Sequence, residues 1–207
     1  MTSQLSGATS YKNTAFGIIS REEVVQLEIE GIKRGLEWVY SKLKQHKSLS
    51  INSKFILELH KKCFGDIFPD WAGKYRLIQV SYSGKEAPPY FQIPELITNL
   101  CLDLKERTKH LPSQKSEKFT DELISLLSWF QHQFVFIHPF QDYNGRMARL
   151  LMNIILLNLN LPPVEINVDA PRARSNYLAA IQAADDGDYS KLNLLLTKAL
   201  NEAYNAI

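Results

Sequence analysis

The stretch LISLLSWFQHQFVFI, residues 123–137, is apolar on nearly every side. A surface helix carries one apolar stripe, whereas a helix that is apolar all round has to be covered on every face. This segment is therefore expected to be the central helix of the fold, and the rest of the chain must supply its cover. Apolar periodicity predicts further helices over 52–64, 94–109, 145–158, 171–185 and 190–204, with the central one running over 118–136. Ahead of them, Ser20 and Glu23 form a capping-box pattern that opens a helix of about 25 residues. Its apolar positions Val25, Ile29, Ile32, Leu36, Val39 and Leu43 alternate four and three apart, which predicts the buried stripe.

One region breaks the helical pattern. PDWAGKYRLIQVSYSGKEAPPY, residues 69–90, has glycines at 73 and 84, prolines at 88 and 89, and β-favouring residues between. Leu77–Tyr82 reads as one strand of a short hairpin. Residues 1–19 are rich in Ser, Thr and Gly and are read as an irregular segment; no repeat or linker interrupts the remainder. The expected fold is mainly α, a single helical domain over 20–207 with a β-hairpin flap at 73–92.

Composition narrows the function classes. A net charge of +2 provides no global field to draw the chain onto nucleic acid or an anionic membrane, so any phosphate chemistry must come from a local cluster. No apolar run approaches the roughly 20 residues that span a bilayer. The N-terminus lacks the basic start and apolar core of a signal peptide. Cys63 and Cys101 have no metal-type spacing and read as free thiols of a reducing compartment, so the expected location is cytoplasmic.

The local cluster is IHPFQDYNGRMARLLMN, residues 137–153. After Asn144, Met147, Leu150, Leu151, Ile154 and Ile155 mark the core-facing side of a helix. Arg146, Arg149 and Asn153 fall three and four apart on a neighbouring stripe. Cations at a helix N-terminus are mildly unfavourable unless an anion sits there. Asn144 and Gly145 open the helix, where N–H groups lack intrahelical partners, and Gly145 lets backbone approach a ligand closely. Together these residues describe a polyphosphate cradle. Asp142 is placed to hold Mg²⁺ between phosphate oxygens, and His138 is a candidate base for an incoming hydroxyl. Phe140 reads as the anchor of the loop.

These residues resemble the active-site signature of the Fic (Fido) family, H-P-F-x-[D/E]-G-N-G-R-x-x-R, with His138, Pro139, Phe140, Asp142, Asn144, Gly145, Arg146 and Arg149 in register. WAGKYR at 71–76 and the hairpin after it resemble that family's flap. The resemblance spans about residues 20–200. It implies transfer of AMP from ATP to a Ser, Thr or Tyr hydroxyl of a target protein, with Mg²⁺ as cofactor and His138 as base. By the same resemblance Asp142 binds the metal, and the 138–149 loop, including Tyr143, holds the phosphates, with Arg149 on the γ-phosphate. Val80, Ser81, Tyr82 and Ser83 pin the target segment, and Tyr177 and Asp185 lie on the nucleoside side. Tyr143 departs from the signature, which has glycine there; a tyrosine is disfavoured if that backbone needs a positive φ. It would narrow the anion pocket, bring a hydroxyl to the phosphates or face solvent.

QLEIEG, residues 26–31, resembles the family's inhibitory motif [S/T]-x-x-x-E-[G/N], with Gln26 in place of Ser or Thr. By that analogy Glu30 pairs with Arg149 and fills the room of the γ-phosphate. Gly31, costly inside a helix, implies close approach to another surface. Other readings of the same residues are transfer of a different nucleotide, removal of AMP, or a nucleotide sensor without turnover. Self-modification and a homo-oligomer are both open to such a chain; nucleic acid and membrane are not expected partners.

Overall fold

The computed structural model describes residues 12–46, 48–82, 84–168 and 170–205. The chain divides into two compact units, one of residues 1–46 with 54–74 and one of 47–53 with 75–207.

The first unit opens on a hairpin, β1 (Lys12–Thr14) against β2 (Gly17–Ile19), in the register Lys12↔Ile19. Thr14 Oγ1 donates to the Gly17 carbonyl at 2.9 Å and accepts the Phe16 N–H at 3.1 Å, closing the turn. The expectation of an irregular segment is thus corrected over 12–19; three-residue strands are too short to give a period, and residues 1–11 lie outside the described set. The capping box is present as expected. The Ser20 N–H donates to Glu23 Oε2 and the Glu23 N–H to Ser20 Oγ, opening α1 (Arg21–Gln45).

The buried line of α1 differs from the expected stripe. It runs through Val24, Glu28, Gly31, Gly35 and Val39, while Ile29 is 58% exposed and Glu30 is exposed beside it. The reason is the pair of glycines. A Cβ added at Gly31 would lie 1.9 Å from the Cys63 carbonyl oxygen, and one at Gly35 would lie 2.3 Å from Cys63 Sγ. Absent side chains bring α1 against α2 (Ser53–Phe64), so the contact line follows small residues rather than large ones. The Gly31→Ala protein should therefore be less stable by about 2 kcal/mol, as in overpacked cores, despite alanine's better helix propensity. A urea melt giving equal or higher stability would refute this packing account. Near the end of the unit, buried His60 accepts the Gly73 N–H on Nδ1 at 2.9 Å, with Phe64 and Trp71 packed around its ring.

In the second unit, α4 (Phe119–Ile137) is the central helix that the sequence implies. Twelve of its residues are buried, Phe130 and Phe134 completely. It packs against α3 (Ile93–Lys109), α5 (Asn144–Asn158), α6 (Pro171–Asp185) and α7 (Ser190–Asn205). Each fully buried phenylalanine contributes roughly 1.5–3 kcal/mol. The strand pairing is narrower than expected: among the described residues Ser81–Tyr82 (β3) and Lys85–Glu86 (β4) pair, in the register Ser81↔Glu86, and the Ala87 N–H to Val80 carbonyl and Gln79 Nε2 to Ala87 carbonyl bonds join the hairpin's base. Leu77 and Ile78 are exposed and unpaired as strand, since the guanidinium described below holds this backbone instead.

Helix α5 secures its surroundings by one repeated device. Each of three asparagine amides grips the N–H and C=O of a single residue: Asn144 on Phe140, Asn153 on Val164 and Asn158 on Leu49, all at 2.8–3.0 Å. Asparagine is a poor helix interior residue, but here each one satisfies a backbone pair that has no ladder of its own. Asn153 therefore does not join Arg146 and Arg149 as the stripe suggested.

Candidate active site

Helix α4 ends at His138, which takes left-handed backbone (φ 51°, ψ 57°) and sends the chain away from the helix axis. Histidine is among the few residues that tolerate this region. The His138 Nδ1 lies 3.0 Å from the Val135 carbonyl. A carbonyl only accepts, so Nδ1 carries the proton and Nε2 is left as the basic nitrogen. Burial lowers the His138 pKa below the ordinary value; the Val135 bond and the Asp142 charge oppose this, and Arg76 adds to it. The imidazole is therefore neutral at physiological pH.

The loop from His138 to Asn144 is fixed at both ends. Phe140 is fully buried, against Phe134 and Tyr75, as the anchor reading expected. Asn144, 2% exposed, has both ends of its amide bound to Phe140. Its side chain is thus committed to the loop, and only its backbone N–H is available to a phosphate at the start of α5. Tyr143, the residue before the helix, has φ 67° and ψ 14°, the positive φ that makes glycine the easier residue there. A non-glycine in this region costs about 1–2 kcal/mol. Tyr143 offsets the strain by burial, at 7% exposed, and by the Arg146 guanidinium 5.4 Å over its ring. It does not face solvent.

At the start of α5 a Cβ added at Gly145 would meet the Arg149 Nη1 at 3.7 Å, an ordinary contact with a side chain that can move. The Arg149 guanidinium rests 5.5 Å over the ring of Tyr177, whose hydroxyl accepts a hydrogen bond from Gln131 Nε2 at 2.9 Å. Tyr177 is 5% exposed and serves here as a platform. Asp142 Oδ1 accepts the Tyr143 N–H at 2.7 Å. Among the described residues no three His, Cys, Asp or Glu side chains gather as a metal cage. A carboxylate beside an anion cradle suits a cation that arrives with phosphate oxygens completing its shell, which is how Mg²⁺ is usually held.

The residue missed by sequence reasoning is Arg76, only 3% exposed, with its guanidinium held by backbone carbonyls. Its Nε donates to the His138 carbonyl at 2.8 Å, Nη1 to Ile78 at 2.8 Å and Nη2 to Pro88 at 2.6 Å. Its own N–H donates to the Pro139 carbonyl at 2.9 Å. One side chain thus joins the base-bearing turn to both roots of the flap. An arginine directly ahead of a glycine- and proline-bounded hairpin was the available signal. Val80, Ser81 and Tyr82 lie on the flap, with Ser83 outside the described residues. The Tyr82 ring stacks on His138, centroids 5.3 Å apart and planes 14° from parallel. Asp185 lies at the end of α6 and bonds to the flap and to α4, as detailed below.

A family model described as Fic/DOC family matches residues 50–156, just over half of the chain. The chain belongs to the Fic/DOC family. Among curated Fic relatives, the protein adenylyltransferase fic-1 of Caenorhabditis briggsae is 32% identical over 163 residues, covering 78% of this chain and 29% of its own length. The protein adenylyltransferase Fic of Nematostella vectensis is 32% identical over 189 residues, 90% of this chain and 41% of that protein. The chain thus spans less than half the length of these curated Fic relatives. A solved structure of Fic-1 from C. elegans superposes with a TM-score of 0.69 at 27% identity, covering 87% of this chain and 50% of that one. BepC, a VirB-translocated effector of Bartonella tribocorum solved with AMPPNP, has a TM-score of 0.69 at 15% identity over 94% of each chain, a likeness of fold. Among the described residues, no helix of this Fic chain is long and apolar enough to cross a membrane.

Proposed function

We propose that the chain is a protein adenylyltransferase, moving AMP from ATP to a hydroxyl side chain of a protein. The observation that carries the proposal is the His138 imidazole, with its Nδ1 proton committed to Val135 and its Nε2 lone pair left basic. That atom stands at the head of a loop leading to Gly145 and Arg149. The curated relatives named as protein adenylyltransferases agree with this reading.

In the proposed reaction His138 Nε2 takes the proton of the target hydroxyl as its oxygen attacks the α-phosphorus of ATP. An oxygen–phosphorus bond to the protein forms, the bond from the α-phosphorus to the bridging oxygen breaks, and pyrophosphate leaves. The N–H groups opening α5 and the Arg146 and Arg149 guanidiniums bind the phosphates. Tyr143 narrows this pocket, and Tyr177 holds Arg149 through its ring. Asp142 would hold Mg²⁺, which neutralises phosphate charge when bound. Val80, Ser81, Tyr82 and Ser83 would align the target segment by strand-like pairing. Glu30 is proposed to restrain activity by competing with the γ-phosphate for Arg149. Its support is the Glu30-Gly31 motif and the exposed carboxylate; Gly31 has a packing reason of its own.

Intact-protein mass after incubation with ATP and Mg²⁺ tests the proposal, with the chain serving as its own target. An AMP adduct should appear in Glu30→Gly at a higher level than in the parent, and chelation of Mg²⁺ should remove it. Bound ATP without an adduct on the chain or on any added protein would overturn the transferase reading in favour of a nucleotide sensor. An equal adduct in parent and Glu30→Gly would overturn the restraint alone.

A further inference from the structure

One buried carboxylate ties down both strands of the flap. Asp185, whose side chain is 6% exposed, ends α6. Its Oδ1 accepts the Tyr82 hydroxyl from β3 at 3.3 Å, and its Oδ2 pairs with Lys85 Nζ from β4 at 3.1 Å. Tyr82 and Lys85 face each other across the hairpin as the last register pair before its turn. The carboxylate therefore grips the flap at its tip, from two sides.

The grip is itself braced. His132 Nε2 lies 2.9 Å from Asp185 Oδ1, and the other ring nitrogen is 3.1 Å from the Tyr189 hydroxyl and 3.3 Å from Gln133 Nε2. Gln133 Nε2 only donates, so Nδ1 accepts and Nε2–H donates to Asp185. Helix α4 and the chain entering α7 thus hold the carboxylate in place. Its pKa is low: burial pushes it up, but the His132 hydrogen bond and the Lys85 ammonium outweigh that. At the other end of the line, Tyr82 lies flat on His138. A two-stranded hairpin with four paired residues is marginal alone, so the tip needs such an anchor to keep one position.

We propose that Asp185 is a positioning residue for His138: it latches the flap tip through Tyr82 and Lys85 and so holds the Tyr82 ring over the imidazole. This assigns Asp185 a role other than the nucleoside contact suggested by resemblance. The kinetic consequence rests on the adenylyltransferase reading, while the structural one does not.

The test compares the parent with Asp185→Asn and Lys85→Ala by NMR of the His138 ring protons and by transfer kinetics. In the parent the Tyr82 ring current shifts those protons upfield. With an amide at 185, whose NH2 faces the Lys85 ammonium and whose uncharged carbonyl alone is left to Tyr82 and His132, the signals should move toward unstacked values. The kcat should fall by about tenfold or more, as expected for a misplaced reacting group, with the KM for ATP changed by less than about twofold. Asp185→Glu, which keeps the charge, should recover part of both effects. Unmoved His138 signals overturn the latch; if ATP affinity drops as well, Asp185 is a nucleoside contact. Moved signals in a chain that never transfers AMP uphold the latch and overturn the adenylyltransferase reading. Should Asp185→Asn fail to give a cooperative thermal melt, Lys85→Ala, altered at a half-exposed arm of the latch, decides by the same signals.

Discussion

The His138→Ala protein is expected to lose AMP transfer by about 10²–10⁴-fold, the usual contribution of a positioned general base, while binding ATP as the parent does. The chain has one imidazole at the 138–144 loop, and its tautomer is set by a backbone carbonyl. Calorimetry for ATP and intact mass for the adduct separate the two effects. Retained transfer with lost binding would refute the base assignment. The pH profile gives a second reading of the same atom. Burial holds the His138 pKa below the ordinary 6.5, so the basic form survives to lower pH than in a free histidine. The acid limb of the rate should therefore fall below that value and be absent from His138→Ala. A limb above it would mean that another group titrates.

The second large effect is on stability. Arg76→Ala should destabilise the second unit by about 3 kcal/mol or more. Removing the guanidinium leaves the carbonyls of His138, Ile78 and Pro88 without their donor in a part-buried place. Lysine would not restore it, since one ammonium cannot reproduce the planar fork reaching three directions. Urea unfolding of Arg76→Ala and Arg76→Lys measures the loss. A change under about 1 kcal/mol would show that water satisfies those carbonyls without cost.

Central helix α4, the caps of α1 and the loop at 138–149 were legible because each is local in sequence. A run apolar all round, a Ser–Glu pair three apart and a glycine opening a helix each state their physics within a few residues. The buried line of α1 was not, because periodicity weighs large apolar side chains while Gly31 and Gly35 bury by having none. Arg76 was hidden for another reason. Its side chain's partners are backbone carbonyls up to 62 positions away, and backbone acceptors leave no mark on composition. Asp185 was named by resemblance, on the nucleoside side, but its bonds were not legible, since its carboxylate meets Tyr82 and His132 only once α4, α6 and the flap are assembled. Asn153 misled through spacing: sharing a helix stripe with the arginines did not stop its amide from closing on Val164.

The two left-handed residues that bracket the active-site loop decide how its inactive forms should be made. Alanine at 138 removes the base together with the polar side chain that favours positive φ there, so an ATP affinity equal to the parent's is what shows that the loss of activity is chemistry alone. Asparagine enters that region readily and carries no basic nitrogen. A trapped complex with ATP or a protein target should therefore be sought with His138→Asn, in which the turn keeps its shape while the reaction stops.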